Sequence, residues 1–390
     1  MSSMLSPPVK KRKIVAPQSQ SASASFQSLP DDLILSIVAR VPRLYHRTVS
    51  LVCKSFRSLL VSPELYKARS VSGHTESCLY LSIACYPDYR MFTLCRKPDQ
   101  TLTTSEEEEK KKSNGYYLAP VPDPDSHPVY FSSLVTVGSD IYNIAGSHAS
   151  SNVSILDCRS NTWREAPRLG VELTSVSASV LDRKIFVVGM YADDEESESK
   201  NDFFEVLDTE THTWDPQPFN CSETKDKFLN CRTAFIDGKF LVKPWIHRGV
   251  VAYNSKESRW EPVQTKMAMS MFNDSYCQIH NVIYLAFDGR IRWYDDALNC
   301  WGDVQGLLEL GNIPHGPSCV RLADYRGNIA VFWFRYLPDN DDYKWKMIWC
   351  AEIALERRTS WEIWGKVLWF DPVLTVPADY EFVKALAATV

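Results

Sequence analysis

Four segments of this chain repeat one pattern: Asp157–Trp163, Asp208–Trp214, Asn254–Trp260 and Asp295–Trp301. Each opens on Asp or Asn, runs through five residues and closes on Trp. Successive Trp residues lie 51, 46 and 41 positions apart. A repeat of roughly 20–50 residues constrains a fold strongly, because each unit must bury its apolar face on a copy of itself. An apolar run precedes each segment: Val153–Leu156, Phe203–Leu207, Val250–Tyr253 and Ile291–Tyr294. The spacing has a chemical reading. An Asp or Asn oxygen accepts backbone N–H groups in a tight turn between two strands. The Trp then starts the next strand and packs between neighbouring sheets. It can bury about 150–250 Å², or roughly 4–6 kcal/mol gross at about 25 cal/mol per Å².

Upstream of every turn lies a hairpin pattern. The pairs are Leu134–Gly138 with Ile141–Gly146, Ser177–Leu181 with Lys184–Gly189, Thr233–Ile236 with Lys239–Val242, and Ser275–Ile279 with Val282–Phe287. A fifth unit joins Cys319–Ala323 and Asn328–Phe334 to Lys346–Leu355 and Trp361–Leu368. Two hairpins per unit make one four-stranded sheet, and radial repetition of such sheets is a β-propeller. The fold class expected is therefore mainly β.

The Trp-after-turn unit resembles the kelch repeat, over about 300 residues. The kelch Gly-Gly doublet is missing, and Ala145-Gly146 and Val188-Gly189 stand in its place. Aromatic residues reach 12%, with 12 Trp, while Gly is only 15 of 390. Abundant Trp with scarce Gly marks a degenerate kelch propeller. Two leftovers, Cys78–Cys85 with Met91–Cys95 and Val373–Val376 with Phe382–Val390, read as strands c, d and a, b of a last blade. Joined, they close a ring of six blades and remove its open edges; five or seven blades are the alternatives.

Residues 28–68 read as helical. Ser28 is the expected N-cap, with Pro30, Asp31 and Asp32 in the first turn. Leu33, Ile37 and Val41 recur at helical spacing, with Ile34 and Val38 beside them, and Pro42 ends the run. Val49, Val52, Cys53, Phe56, Leu59 and Leu60 form a second stretch, and Ser62-Pro63-Glu64 starts a third helix. About 40 residues bury little apolar surface by themselves. The excess marks a docking surface, or else an ordinary helical bundle packed on the next domain.

Leu29-Pro30-Asp31-Asp32-Leu33-Ile34, Ile37, Val41-Pro42, Val52-Cys53-Lys54-Ser55-Phe56-Arg57 and Ser62-Pro63-Glu64 resemble the F-box in order and spacing. Phe56 stands where Trp is commoner in that family, and keeps an aromatic ring. As a whole the chain is similar to the plant F-box/kelch proteins. The resemblance implies a three-helix motif docking a Skp-type adaptor, and through it a cullin. The adaptor contacts carried over are Leu29, Pro30, Leu33, Ile37, Val41, Pro42, Val52, Cys53 and Phe56. The expected organisation is a disordered basic and Ser-rich tail at 1–25, an F-box at 26–70 and a propeller at 78–390.

Net charge is −5 and pI about 6.0. Residues 1–77 carry 11 Lys/Arg against 4 Asp/Glu, net +7, which leaves net −12 for the remainder. Such a balance speaks against direct nucleic-acid binding. The tail run Lys10-Lys11-Arg12-Lys13 resembles a nuclear import signal, which implies nucleus and/or cytoplasm. No apolar run approaches the 18 residues of a membrane span, and none follows the basic tail as a secretory signal would. The 11 Cys lack zinc-ligand spacing and read as reduced, mostly buried thiols.

In a propeller the d–a and b–c connections share one face. The long segments Lys97–Val129, Met190–Asp202, Asp215–Cys231, Glu261–Asp274, Gly302–Ser318 and Leu337–Tyr343 are all expected there. That face is the expected target-binding surface. Its acidic runs Glu106–Glu109, Asp193–Glu198 and Asp339–Asp342 could steer a basic partner. The reading calls for no cofactor and no catalytic residue. His247, His280 and His315 show no metal-ligand spacing, and there is no nucleophile elbow, P-loop or HExxH motif. The leading expectation is a substrate receptor of a Skp–cullin–F-box ubiquitin ligase. A non-degradative F-box scaffold and, more weakly, a propeller metal oxidase are the alternatives.

Overall fold

In a computed structural model, residues 29–85, 88–97, 114–123, 133–145, 149–191, 202–216, 231–236, 238–244, 249–255, 257–263, 267, 275–295, 297–311, 313–337 and 344–390 are described. The basic tail, Ser28, His247 and the three acidic runs lie outside them. The helices come first: α1 (Asp31–Ala39), a 3-10 turn (Arg43–Tyr45), α2 (His46–Val49), α3 (Lys54–Leu59) and α4 (Pro63–Val71). Pro30, not Ser28, is the N-cap of α1, and its carbonyl accepts the amides of Leu33 and Ile34. The expected second helix is broken into α2 and α3. Cys53 caps α3, its Sγ accepting Phe56 N–H at 3.4 Å. Ser62 caps α4 through Leu65 N–H, with Pro63 in the first turn.

Six four-stranded antiparallel sheets follow, one per blade. Blade one is β4 (Leu134–Val137), β5 (Asp140–Ile144), β6 (Val153–Asp157) and β7 (Thr162–Glu165). Blade two is β8 (Leu173–Leu181), β9 (Lys184–Tyr191), β10 (Asp202–Asp208) and β11 (Thr213–Pro216). Blade three runs from β12 (Arg232–Ile236) through β13 (Lys239–Lys243) and β14 (Val250–Asn254) to β15 (Arg259–Val263). Blade four runs from β16 (Tyr276–Ile279) through β17 (Val282–Phe287) and β18 (Arg290–Asp295) to β19 (Cys300–Asp303). Blade five holds β20 (Val320–Tyr325), β21 (Asn328–Tyr336), β22 (Trp345–Thr359) and β23 (Glu362–Pro377).

The sixth blade closes the ring in a different proportion from the one expected. Its order is β24 (Glu381–Thr389), β1 (Ser77–Cys85), β2 (Asp88–Arg96), β3 (Tyr116–Pro120). One C-terminal strand thus joins three N-terminal strands. Val373–Val376 is not part of it, because β22 and β23 pair without a turn as far as Trp345↔Pro377, taking that run into blade five. The missed strand is β3, a five-residue element beyond a Lys/Glu-rich segment. It moves a connection across the ring. Arg96 and Tyr116, the paired ends of strands c and d, lie on the a–b/c–d side, so this connection is of the c–d class and not the d–a class.

The turns of the repeat share one geometry. The fifth residue of each, Asn161, His212, Ser258 and Asn299, has φ between 48° and 56°. Asp157 Oδ1 accepts Arg159 N–H at 2.9 Å, Asp208 Oδ1 accepts Glu210 N–H at 2.9 Å, and Asp295 Oδ1 accepts Leu298 N–H at 3.1 Å. The N–H groups of Thr211 and Glu210 hold the Asp208 carboxyl below its ordinary pKa.

Each repeat Trp lies on an outermost strand and reaches the preceding blade. Trp163 packs in a cluster with Tyr80 and Cys78 of blade six. Trp214 packs beside Tyr142 and Ile155 of blade one, and its Nε1 donates to Pro167 O at 2.9 Å. Trp260 meets Phe204 of blade two edge-on, 5.1 Å between centroids. Trp301 packs against Ala234 and Leu241 of blade three. Only Trp260 is buried, among Phe204, Phe240 and Tyr253; Trp163, Trp214 and Trp301 are half-buried. Blade five lacks the repeat, and its β22–β23 hairpin outreaches β21. Arg357 lies over the Trp293 ring of blade four at 4.8 Å, and Trp369 stacks on Tyr116 of blade six at 3.8 Å.

Candidate functional site: a helical docking surface fixed to the propeller

The helical module is joined to the ring by one continuous core. Val38, Ala39, Leu60, Leu65 and Tyr66 pack in the same cluster as Tyr80, Leu156, Cys158, Val383 and Leu386. Part of the apolar excess of the short module is therefore covered by the propeller. At this joint Arg43 Nη2 donates to Cys158 O and Arg159 O, at 2.6 and 2.9 Å, in the c–d turn of blade one. Its Nη1 donates to Tyr66 Oη at 2.5 Å. Glu76 Oε1 accepts from Arg43 N–H at 2.6 Å and Arg69 Nη2 at 2.5 Å, while Oε2 accepts from Arg326 Nη2 at 3.1 Å in the a–b turn of blade five. Buried Arg69 also donates through Nη1 to Ala39 O and Val41 O. His46 is pushed down to about 3 by burial and by Arg43 and Arg69.

All these contacts fall on the a–b/c–d side, so the d–a/b–c face is opposite the helices. None of Arg43, Tyr66, Arg69 or Glu76 was singled out in the sequence. The sequence carried no local signal for them, since Arg43 stands near Arg40 and Arg47, and Arg69 shares its helix with Glu64 and Lys67.

Of the nine F-box positions, the structure leaves Leu33, Ile37 and Val52 open, at 52%, 44% and 68% exposure. Leu33 and Ile37 lie one turn apart on α1. Pro30 and Pro42 are exposed, and Leu29, Val41, Cys53 and Phe56 are half-buried. Cys53 and Phe56 are engaged in the α3 cap, and Phe56 packs on the shared core. Leu51 and Val61 of the same module, at 74% and 50% exposure, are also open apolar residues and were not anticipated. An exposed apolar group of this kind marks an interaction site.

On the ring, His280 sits in the a–b turn of blade four, and His315 sits in the following d–a connection, where it meets Asp288 at 2.8 Å. The two lie on opposite faces and do not converge. Among the described residues no group of His, Cys, Asp and Glu is arranged to hold a metal ion.

Helices with an open apolar face, bolted to a six-bladed ring, define a two-part binding protein. Residues 26–68 match the F-box domain, and residues 91–374 match the kelch-repeats domain described as FKB95. F-box/kelch-repeat protein At5g51250 of Arabidopsis thaliana is 53% identical over 93% of this chain and 100% of its own length. F-box/kelch-repeat protein At4g39550, from the same plant, is 45% identical over 99% of this chain and 100% of its own. The chain belongs to the F-box/kelch-repeat family.

Proposed function

We propose that this protein is the substrate receptor of a Skp–cullin–F-box ubiquitin ligase. Its helices dock a Skp-type adaptor, the propeller presents a target protein, and ubiquitin transfer is carried out by other subunits. The observation that supports this best is the placement of two surfaces about one rigid joint. The open residues Leu33, Ile37 and Val52 lie on the module that covers the a–b/c–d side, leaving the d–a/b–c face to a target. No catalytic residue of its own enters the reading. The tail run Lys10–Lys13 supports action in the nucleus and/or cytoplasm.

Adaptor capture tests the proposal. Leu33→Asp with Val52→Asp places charge on exposed positions, and is expected to abolish co-purification of adaptor and cullin while the ring stays folded. Undiminished capture would refute the docking assignment. These positions test it more cleanly than Leu29 and Pro30, because Pro30 is the cap of α1.

A further inference from the structure

We propose that the cleft between the helical module and the propeller binds a small polyphosphorylated anion. The cleft has a volume of about 450 Å³, and its walls include Arg40, Arg69, His74, Glu76 and Arg326. Three arginines thus line the cleft with one carboxylate, and that carboxylate is already engaged. Both Glu76 oxygens accept bonds from arginine, leaving the cleft with net positive charge.

The cations differ in how far they are committed. Arg69 is 1% exposed, and its Nε has no acceptor among the described residues. Arg326 gives one N–H to Glu76 and rests on the Tyr325 ring at 4.8 Å, with its side chain 44% exposed. Arg40 is exposed and has no acceptor among the described residues. His74 Nδ1 is bonded to Ser72 O at 2.7 Å, so Nε2 is the nitrogen turned away from that bond.

The backbone holds these groups in place. Helix α4 ends with His74 N–H on Arg69 O and Gly73 N–H on Ser70 O, and Gly73 has φ of +69°. That pattern requires a left-handed residue, which glycine adopts without strain. It folds residues 74–76 back across Arg69. Guanidinium forks match phosphate oxygens in pairs, so several arginines along one open cleft favour a ligand with more than one phosphate. The volume suits a small molecule and not a protein segment.

Calorimetric titration of the full chain with tripolyphosphate, at fixed ionic strength, tests the site. One ligand per chain is expected, with orthophosphate at least tenfold weaker. Arg40→Gln should weaken tripolyphosphate at least threefold, and Arg40→Gln with Arg326→Gln at least tenfold. Glu76→Gln should tighten it. Arg358→Gln, on blade five, should leave affinity unchanged. Should Arg326→Gln loosen the joint, Arg40→Gln alone carries the test, since Arg40 has no structural partner there. Equal affinity for orthophosphate, no effect of Arg40→Gln, or several equivalent sites per chain would overturn the proposal.

Discussion

Arg43 of the F-box donates to the carbonyl of Cys158 in the first blade at 2.6 Å, across 115 positions of sequence. The same guanidinium serves Arg159 O and Tyr66 Oη. One side chain therefore ties the 3-10 turn, α4 and the ring together. Charge-assisted bonds of this kind contribute about 1.5–3 kcal/mol each, and not additively. Arg43→Ala is expected to cost about 3 kcal/mol of F-box docking. Hydrogen exchange should show α1 and α4 losing protection while blades three and four keep theirs. Arg43→Lys, a point charge without the fork, should fall between.

His46 makes the joint sensitive to acid. Its Nε2 faces Val41 O at 3.1 Å and its Nδ1 faces Arg43 Nη1 at 3.1 Å, an arrangement that suits the neutral ring. Burial, then Arg43 and Arg69, hold it near 3, against 6.5 when unfolded. A depressed folded pKa means stability that is present above pH 6.5 and is lost as pH falls toward 3. At pH 5 the expected loss is about 2 kcal/mol. His46→Gln should flatten this slope between pH 7 and 5 in denaturant titrations followed through the F-box helices.

How much of this was legible in the sequence depends on how local the signal is. Asp157, Asp208 and Asp295 act within three residues of themselves, and their turns could be read directly. The left-handed turn residues were not read, because Asn161, His212, Ser258 and Asn299 share a conformation but no side-chain type. Tyr116–Pro120 was missed because five residues bounded by a polar segment carry little periodicity. Its absence also made the connection after Arg96 read as a link between blades, where it joins strands c and d of one blade. The Arg43–Glu76–Arg326 joint joins groups up to 250 positions apart, which no local pattern encodes.

Ring closure rests on the last strand. β24 pairs with β1 from Ser77↔Thr389 to Ala84↔Glu381, and Val390 exchanges backbone bonds with Glu76. Arg321 Nε and Nη2 also donate to Val383 O and Phe382 O from blade five. Deleting residues 381–390 removes the innermost strand of blade six and leaves the edge of β1 unpaired. It also strips the strand that lies beside the F-box joint. Loss of a cooperative melt and aggregation are expected. A soluble truncation with an unchanged melting temperature would contradict single-strand closure.

Burial grades the repeat tryptophans. Trp260 is 8% exposed and is surrounded by Phe204, Phe240 and Tyr253. Trp260→Ala is expected to cost about 3–5 kcal/mol, the range for emptying a buried aromatic site. Trp214 sits at the same repeat position but is half-buried, and its Nε1 bond to Pro167 O adds a polar contribution. Trp214→Ala should cost about 2 kcal/mol, because less apolar area returns to water and solvent fills the gap. Trp214→Phe separates the two contributions: it keeps most of the packing and loses only the bond, about 1 kcal/mol. Denaturant unfolding of the three variants checks the order. Equal losses for Trp260→Ala and Trp214→Ala would show that position in the repeat, and not burial on the rim, governs what each ring contributes.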